Sequence, residues 1–294
     1  MKVGLIDIEP KIVNTAYMQI ACYHRQRGDS VEWWTPLEHR QFDVVYCSSI
    51  FDFTDKSQIP EDVICGGTGS DVNSRLSRVI ENSDYDYSIY PKCRKSYIWF
   101  SRGCIRKCPW CVVPAKEGKL KAVEPKNLNP DGEYIVICDN NFFANRRWKG
   151  AILWLSSKKQ PLDFQGVDVR ILNKSMCKAL LGLRHFKRIK IAWDNPQEDL
   201  MPVIKKVTEW IPAYRLMCYV LIGYSSTPEE DLYRVETLRK SGIDPFVMPY
   251  NKKDLYQKAF ARWVNHKAIF KKVKWEDYYK RVLKQEMNCC GWKK

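Results

Sequence analysis

SRGCIRKCPWCVVPAKEGK, residues 101–119, places Cys104, Cys108 and Cys111 within one eight-residue span, with Trp110 beside the last and five Lys or Arg in the same stretch. The residues before it, SYIWFS (96–101), read as a strand, so the thiols sit on a loop just after it. Such a loop can fold three thiolates around one metal centre. A structural zinc site closes its tetrahedron with four protein ligands, and no second CxxC or HxxxH pair is present, which disfavours zinc. A 4Fe-4S cluster held by three cysteines leaves one iron with an open position, where a small molecule can coordinate and accept an electron. Arg102, Arg106 and Lys107 add charge that would ease reduction or attract anions, with plain solvation of the loop as the competing reading.

Downstream, YIVICD (134–139), VDVRIL (167–172), IKIAWD (189–194), LMCYVLIGY (216–224) and PFVMPY (245–250) read as further buried strands separated by helical segments. With SYIWFS they make a six-fold βα repeat, enough for a partial (βα)6 parallel barrel, whose chemistry would sit at the C-terminal ends of its strands. Thr227, Pro228 and Glu230 read as the N-cap, N1 proline and capping-box acid of one helix, with Gly242 ending it, and Asn195-Pro196 reads as the opening of another. Upstream, VGLIDIE (3–9), a helix from Ile12 to Gln26, VEWW (31–34), DVVYCSSIF (43–51) and DVICGG (62–67) describe a small open α/β sheet. The glycines of CGGTGS (65–70) lack the dinucleotide spacing and there is no P-loop lysine, so a tight turn is favoured over a phosphate site. The expected organisation is therefore an open-sheet domain over residues 1–90, the barrel over 91–250 after a linker at 83–95, and a basic helical extension over 251–294.

The 294 residues, 45% of them hydrophobic, can bury a full core. The start, MKVGLIDIEP, lacks the apolar region of a signal peptide, and the longest uncharged apolar run, residues 216–224, is too short for a bilayer, so a soluble cytoplasmic protein with no membrane partner is expected. In that setting the twelve cysteines read as free thiols or metal ligands rather than disulfides. Charge is uneven: residues 1–100 carry 11 Lys/Arg against 14 Asp/Glu, and residues 101–294 carry 38 against 20. A polyanionic partner for the second part and a merely soluble Lys-rich surface both fit that asymmetry.

The pattern CxxxCxΦC, with Cys104, Cys108 and Cys111 and Trp110 as the aromatic, resembles the signature of radical S-adenosylmethionine (SAM) enzymes, and the likeness covers residues 96 to about 250. It implies that the cysteines hold a 4Fe-4S cluster, that the open iron binds the amino and carboxylate groups of SAM, and that an electron donor such as flavodoxin or ferredoxin serves the cluster. Asp139, Asn140 and Asn141 stand where the family's GGE motif receives the SAM amine, though the sequence departs from GGE; an Asx turn is the plain alternative. Arg170 is a candidate clamp for the SAM carboxylate, or a salt-bridge partner of Asp168 or Asp194. Asp194 is a candidate for the ribose hydroxyls, Ile222 and Gly223 for the adenine wall, and Met248 and Tyr250 for the cofactor wall or the substrate, with Tyr250 able to orient a target.

The open sheet ahead of the barrel resembles a cobalamin-binding domain or the first domain of methylthiotransferases. No DxHxxG motif follows the first strand, and His24 and His39 fall elsewhere, so a degenerate version without cobalamin is expected. Of Cys22, Cys47, Cys65 and Cys93, Cys47 and Cys65 end neighbouring strands, but nothing fixes a third ligand for a second cluster, and buried thiols are the favoured reading. Cys289-Cys290 is a poor geometry for one metal. Residues 251–294 carry 13 Lys/Arg against four Asp/Glu, interleaved with Tyr256, Phe260, Trp263, Phe270, Trp275, Tyr278, Tyr279 and Trp292. Those cations and rings would grip phosphates and stack on bases, or the rings would pack an amphipathic helix. Three functions compete: a radical SAM enzyme modifying a nucleic acid or nucleotide precursor, one modifying a peptide or small molecule, and a non-catalytic metal-stabilised nucleic-acid-binding protein.

Overall fold

The computed structural model describes residues 1–289, and side chains through residue 285; the side chains of Cys289, Cys290 and Trp292 lie outside it. The fold is mixed α/β with parallel sheets and a helical C-terminal region, divided into two compact units, Met1–Leu162 and Asp163–Lys294. In the first unit β1 (Lys2–Ile6), α1 (Thr15–Gln26), β2 (Ser30–Trp33), β3 (Val44–Ser48) and β4 (Ile64–Gly66) build a parallel sheet in the order β2-β1-β3-β4. The Asn14 side chain accepts the Ala16 amide to start α1, whose Tyr17, Met18, Ile20 and Ala21 pack in one buried cluster with Val3 and Leu5 of β1. The first strand stops at Ile6, short of Glu9. That carboxylate accepts the Ile50 and Phe51 amides at 2.9 and 3.0 Å, tying the turn after β1 to the loop after β3.

The short helix α2 (Arg78–Asn82) leads to the segment read as a linker, which is packed: Tyr85, Tyr87 and Ile89 are buried in the same cluster as α1. Then follow β5 (Lys95–Ile98), β6 (Ser101–Arg102), α3 (Val113–Lys116), β7 (Lys121–Ala122), β8 (Tyr134–Ile137), α4 (Trp148–Ser156) and β9 (Leu162–Phe164). β5 and β8 pair in parallel from Lys95 opposite Tyr134 to Ile98 opposite Ile137, and the sheet order is β5-β8-β9. All four residues of β8 are buried, as expected of a strand covered on both faces.

The second unit begins within β9 and continues through α5 (Lys174–Leu181), β10 (Ile189–Ala192), α6 (Met201–Thr208), β11 (Leu216–Ile222), α7 (Pro228–Lys240) and β12 (Asp244–Pro249), with β10-β11-β12 parallel. Two expectations fail here. VDVRIL is not a strand: Asp168 accepts the Arg170 amide at 3.1 Å and turns residues 169–171 into a single 3₁₀ turn, while the strand lies earlier, at Leu162–Phe164. Asn195 accepts the Gln197 amide at 3.1 Å in a turn, and the helix starts at Met201, whose amide Asp199 accepts at 2.9 Å. The α7 capping box is formed as expected, with Glu230 accepting the Thr227 amide at 2.8 Å.

The chain ends in α8 (Leu255–Asn265), α9 (Lys267–Lys272) and α10 (Trp275–Cys289). Phe260, Trp263, Phe270 and Trp275 are all buried, with ring centroids about 5 Å apart, so these aromatics form the apolar seam of the helices while Lys271, Lys272 and Lys274 stay exposed. Beside them lies a buried ion pair, Asp231 to Arg234 at 2.6 Å, in which Arg234 also donates to the Trp193 carbonyl at 2.9 Å and Tyr256 to Asp231 at 3.1 Å. Removing one member of a buried pair strands the other charge, at about 3–5 kcal/mol, whereas an exposed pair contributes about 0–1 kcal/mol. Asp231→Ala is therefore expected to lower the urea midpoint far more than Glu236→Ala, which loses only the exposed contact with Arg239. Equal shifts for the two variants would show that the buried pair does not hold this unit together.

Candidate functional site

The three cysteines lie on a closed excursion between β6 and β7. Ser101 pairs with Ala122 and Arg102 with Lys121, and a further bridge joins Cys104 to Lys119. Gly103 makes the closure possible. Its φ is +78°, and a Cβ there would stand 2.4 Å from the Lys119 carbonyl oxygen. Cys111 donates its amide to the Cys108 carbonyl at 3.0 Å, so the second and third cysteines share one tight turn. Cys104 and Cys108 are half-buried and Cys111 is exposed.

The stretch 101–123 contains a single carboxylate, Glu117, and it organises the loop's neck. One oxygen accepts from Arg102 at 2.7 Å; the other accepts the Gly103 amide at 2.6 Å and the Asn140 side chain at 2.9 Å. Arg102 also stacks on Trp99 at 4.9 Å, so its charge is spent on structure. Lys116 donates to the Ser74 carbonyl at 2.6 Å, and burial, with Arg75 beside it, draws its pKa down. Sequence reasoning missed Glu117; its being the one acid in a basic run was the available signal.

Asp139, Asn140 and Asn141 follow β8 and meet the base of this loop. Asp139 is buried and accepts the Phe100 amide at 3.0 Å and the Ser101 hydroxyl at 2.5 Å, and burial holds its carboxyl above the ordinary range. Asn140 donates to the Gly103 carbonyl at 3.3 Å as well as to Glu117. Asn141 is buried at the start of the next turn. Asp139 and Asn140 thus brace the cysteine loop from β8.

The remaining candidates belong to the second unit. Arg170 is bound to Asp168 at 2.7 Å and Glu198 at 3.0 Å, the salt-bridge arrangement rather than an open clamp. Asp194 accepts the Leu221 amide at 3.2 Å, and burial raises its pKa against the pull of Arg234 and Arg170. Ile222 accepts the Tyr250 amide at 3.0 Å, Met248 lies opposite Leu221 in the β11-β12 register, and the Tyr250 ring meets Tyr224 edge-on at 5.0 Å. Gly223, with φ +78°, admits the Gln257 side chain, which would lie 2.1 Å from a Cβ. Gln257 in turn accepts the Asn251 amide at 2.8 Å. Asp194, Ile222, Gly223, Met248 and Tyr250 therefore gather where β10, β11 and β12 end. Arg234 and Gln257, which support that end, were not singled out from the sequence, where each reads as an ordinary helix residue.

By chemical type, three cysteine thiolates are the donors that iron-sulfur clusters take. The Arg106 amide donates to the Cys104 sulfur at 3.3 Å, the kind of hydrogen bond that stabilises a metal-bound thiolate. Among the described residues no group of three or more His, Cys, Asp or Glu side chains is gathered so as to hold a metal ion. Cys47 and Cys65 are register partners on β3 and β4, and burial pushes Cys47 up to about 12. Cys22 is half-buried on α1 and Cys93 is buried. His24 pairs with Asp29 at 2.7 Å and His39 with Asp62 at 3.0 Å. No helix among the described residues is long and apolar enough to cross a membrane.

No family model matches the chain. Among curated proteins it is similar to the ribosomal protein uS12 methylthiotransferase RimO of Legionella pneumophila, strains Paris and Lens, at 24% identity over 120 residues, or 37% of this chain. The chain spans about a quarter of the length of these relatives, so the likeness is distant and partial. On the geometry of the neck, Glu117→Ala removes a charged acceptor from three donors, each such bond contributing about 1.5–3 kcal/mol. Amides of residues 103–119 are expected to exchange with deuterium at least tenfold faster while those of β1 and β3 are unchanged. Unaltered exchange in the loop would show that Glu117 does not hold it.

Proposed function

We propose that this chain is a radical SAM enzyme, in which Cys104, Cys108 and Cys111 hold a 4Fe-4S cluster. The observation that carries the proposal is the CxxxCxΦC loop itself, closed by β6, β7 and Glu117 at the C-terminal end of a parallel strand, with an amide already on the Cys104 sulfur. The distant likeness to a methylthiotransferase supports the same reading. Held by Cys104, Cys108 and Cys111, a cluster with one iron free of protein ligand would supply the electron for reductive cleavage of SAM, the chemistry that starts hydrogen abstraction from a substrate.

In this reading the protein's own groups position and shield. Asp139 and Asn140 hold the loop against the end of β8, and Trp110, within the loop, and Asn141, after β8, are the further residues proposed to contact the cofactor. Within the second unit, Asp194, Ile222, Gly223, Met248 and Tyr250 would offer SAM or substrate a polar edge, an apolar wall and a phenol, while the charge of Arg170 is met by Asp168 and Glu198. The partial (βα)6 barrel that the resemblance implies, and an electron donor such as flavodoxin or ferredoxin, are parts of the same proposal. Anaerobic reconstitution is expected to give about four iron and four sulfide per chain. With SAM and a strong reductant the protein should then release 5′-deoxyadenosine, and Cys108→Ala should abolish that release. Zinc in place of iron, or undiminished release from the alanine variant, would overturn the assignment.

A further inference from the structure

Beside Cys104 the first unit has a cavity of about 740 Å³, within the range of nucleotide-sized ligands. Its cationic lining comes from Arg106, Lys107, Lys119, Arg146 and Arg147, and no carboxylate lines it. Two segments far apart in sequence supply these charges. Lys119 is set against Cys104 by the bridge between their backbones. Arg146 and Arg147 are fixed by the buried Asn145, which donates to the Phe100 carbonyl at 2.8 Å and accepts the Arg147 amide at 3.0 Å. Four of these cations, Lys107, Lys119, Arg146 and Arg147, carry the charge of the site. Glu117 is committed to Arg102, Gly103 and Asn140, and Glu124 meets Arg147 only in an exposed contact at 3.3 Å, of the kind that contributes little.

SAM is disfavoured in this cavity, because its sulfonium and ammonium outweigh its single carboxylate and leave it a net cation. A multivalent anion relieves the mutual repulsion of the lining, and guanidinium forks match the oxygens of phosphate. Ile105, Pro114 and Leu120 give an organic body an apolar wall next to that anion site. We propose that the cavity beside Cys104 binds the phosphate groups of a nucleotide or polynucleotide substrate, bringing it to the cysteine loop. This rests on the radical SAM reading only in naming the occupant a substrate; the anion site stands on the cavity alone.

The test uses the full chain and two probes, a fluorescein-labelled ten-nucleotide single-stranded oligoribonucleotide read by anisotropy and adenosine 5′-diphosphate read by calorimetry. Lys119→Gln with Arg146→Gln should weaken binding of the probe that occupies the site roughly tenfold or more. For the oligonucleotide it should also reduce the log–log salt slope by about 1.4, for two phosphate contacts. Lys205→Gln with Lys206→Gln, which removes the same charge from exposed positions of α6, should do neither. Variant-sensitive binding of adenosine 5′-diphosphate assigns the site to mononucleotides, and variant-sensitive binding of the oligonucleotide alone assigns it to a polynucleotide. If neither probe binds, if both double variants weaken binding equally, or if polyglutamate displaces the probe as well as RNA does, the proposal is overturned. Should Lys119→Gln with Arg146→Gln fail to fold, Lys107→Gln is read in its place. Neither measurement requires SAM cleavage, so a protein that binds but does not cleave and one that cleaves but does not bind separate this proposal from the radical SAM reading.

Discussion

One carboxylate governs the geometry of the cysteine loop. Glu117 gathers a guanidinium, a backbone amide and an asparagine side chain within 2.9 Å, and these three donors come from the loop's entry strand, its glycine corner and the end of β8. Without a counter-charge at that point, a stretch carrying Arg102, Arg106, Lys107, Lys116 and Lys119 would repel itself open. With it, the neck of the loop and the end of β8 are parts of one hydrogen-bonded assembly, and Asp139 adds a second, buried tie to Phe100 and Ser101.

The second unit solves a comparable problem with buried charge. Asp231 and Arg234 are almost wholly inaccessible, and each has further partners, so neither is left as an uncompensated ion. Lys190 and Asp163 repeat the device at 2.5 Å, on β10 and β9. Around these pairs the strand ends of β10, β11 and β12 are held in register, and the side chain of Gln257 fills the space that Gly223 leaves open.

The C-terminal helices divide their composition between inside and outside. Their indoles and phenyl rings are spent on one another, with Trp275 stacked on Tyr279 at 4.7 Å and edge-on to Phe260 at 4.9 Å. Among the described residues of this segment, Lys271, Lys272 and Lys274 are exposed. The concave concentration of cations lies instead beside Cys104, where Arg146 and Arg147 join the loop's own Lys107 and Lys119.

Much of this was legible in the linear chain. The cysteine spacing, the α1 stretch, the capping box of α7 and the parallel strands β5, β8, β10, β11 and β12 follow from local periodicity and turn chemistry, which act over a few residues. The VDVRIL segment shows the limit: its alternation suited a strand, but an Asp168 side chain competing for the Arg170 amide turned it, and Leu162–Phe164 took the strand's place. The partners of Glu117, the burial of Asp231 with Arg234 and the meeting of Arg146 with Lys119 depend on contacts between residues distant in sequence. The chain by itself determined which groups were available and where most of the strands and the capped helix α7 would lie. Only the tertiary structure decided which charges were neutralised and which were left facing a cavity, because desolvation and Coulomb energy depend on distances in space that no local pattern encodes.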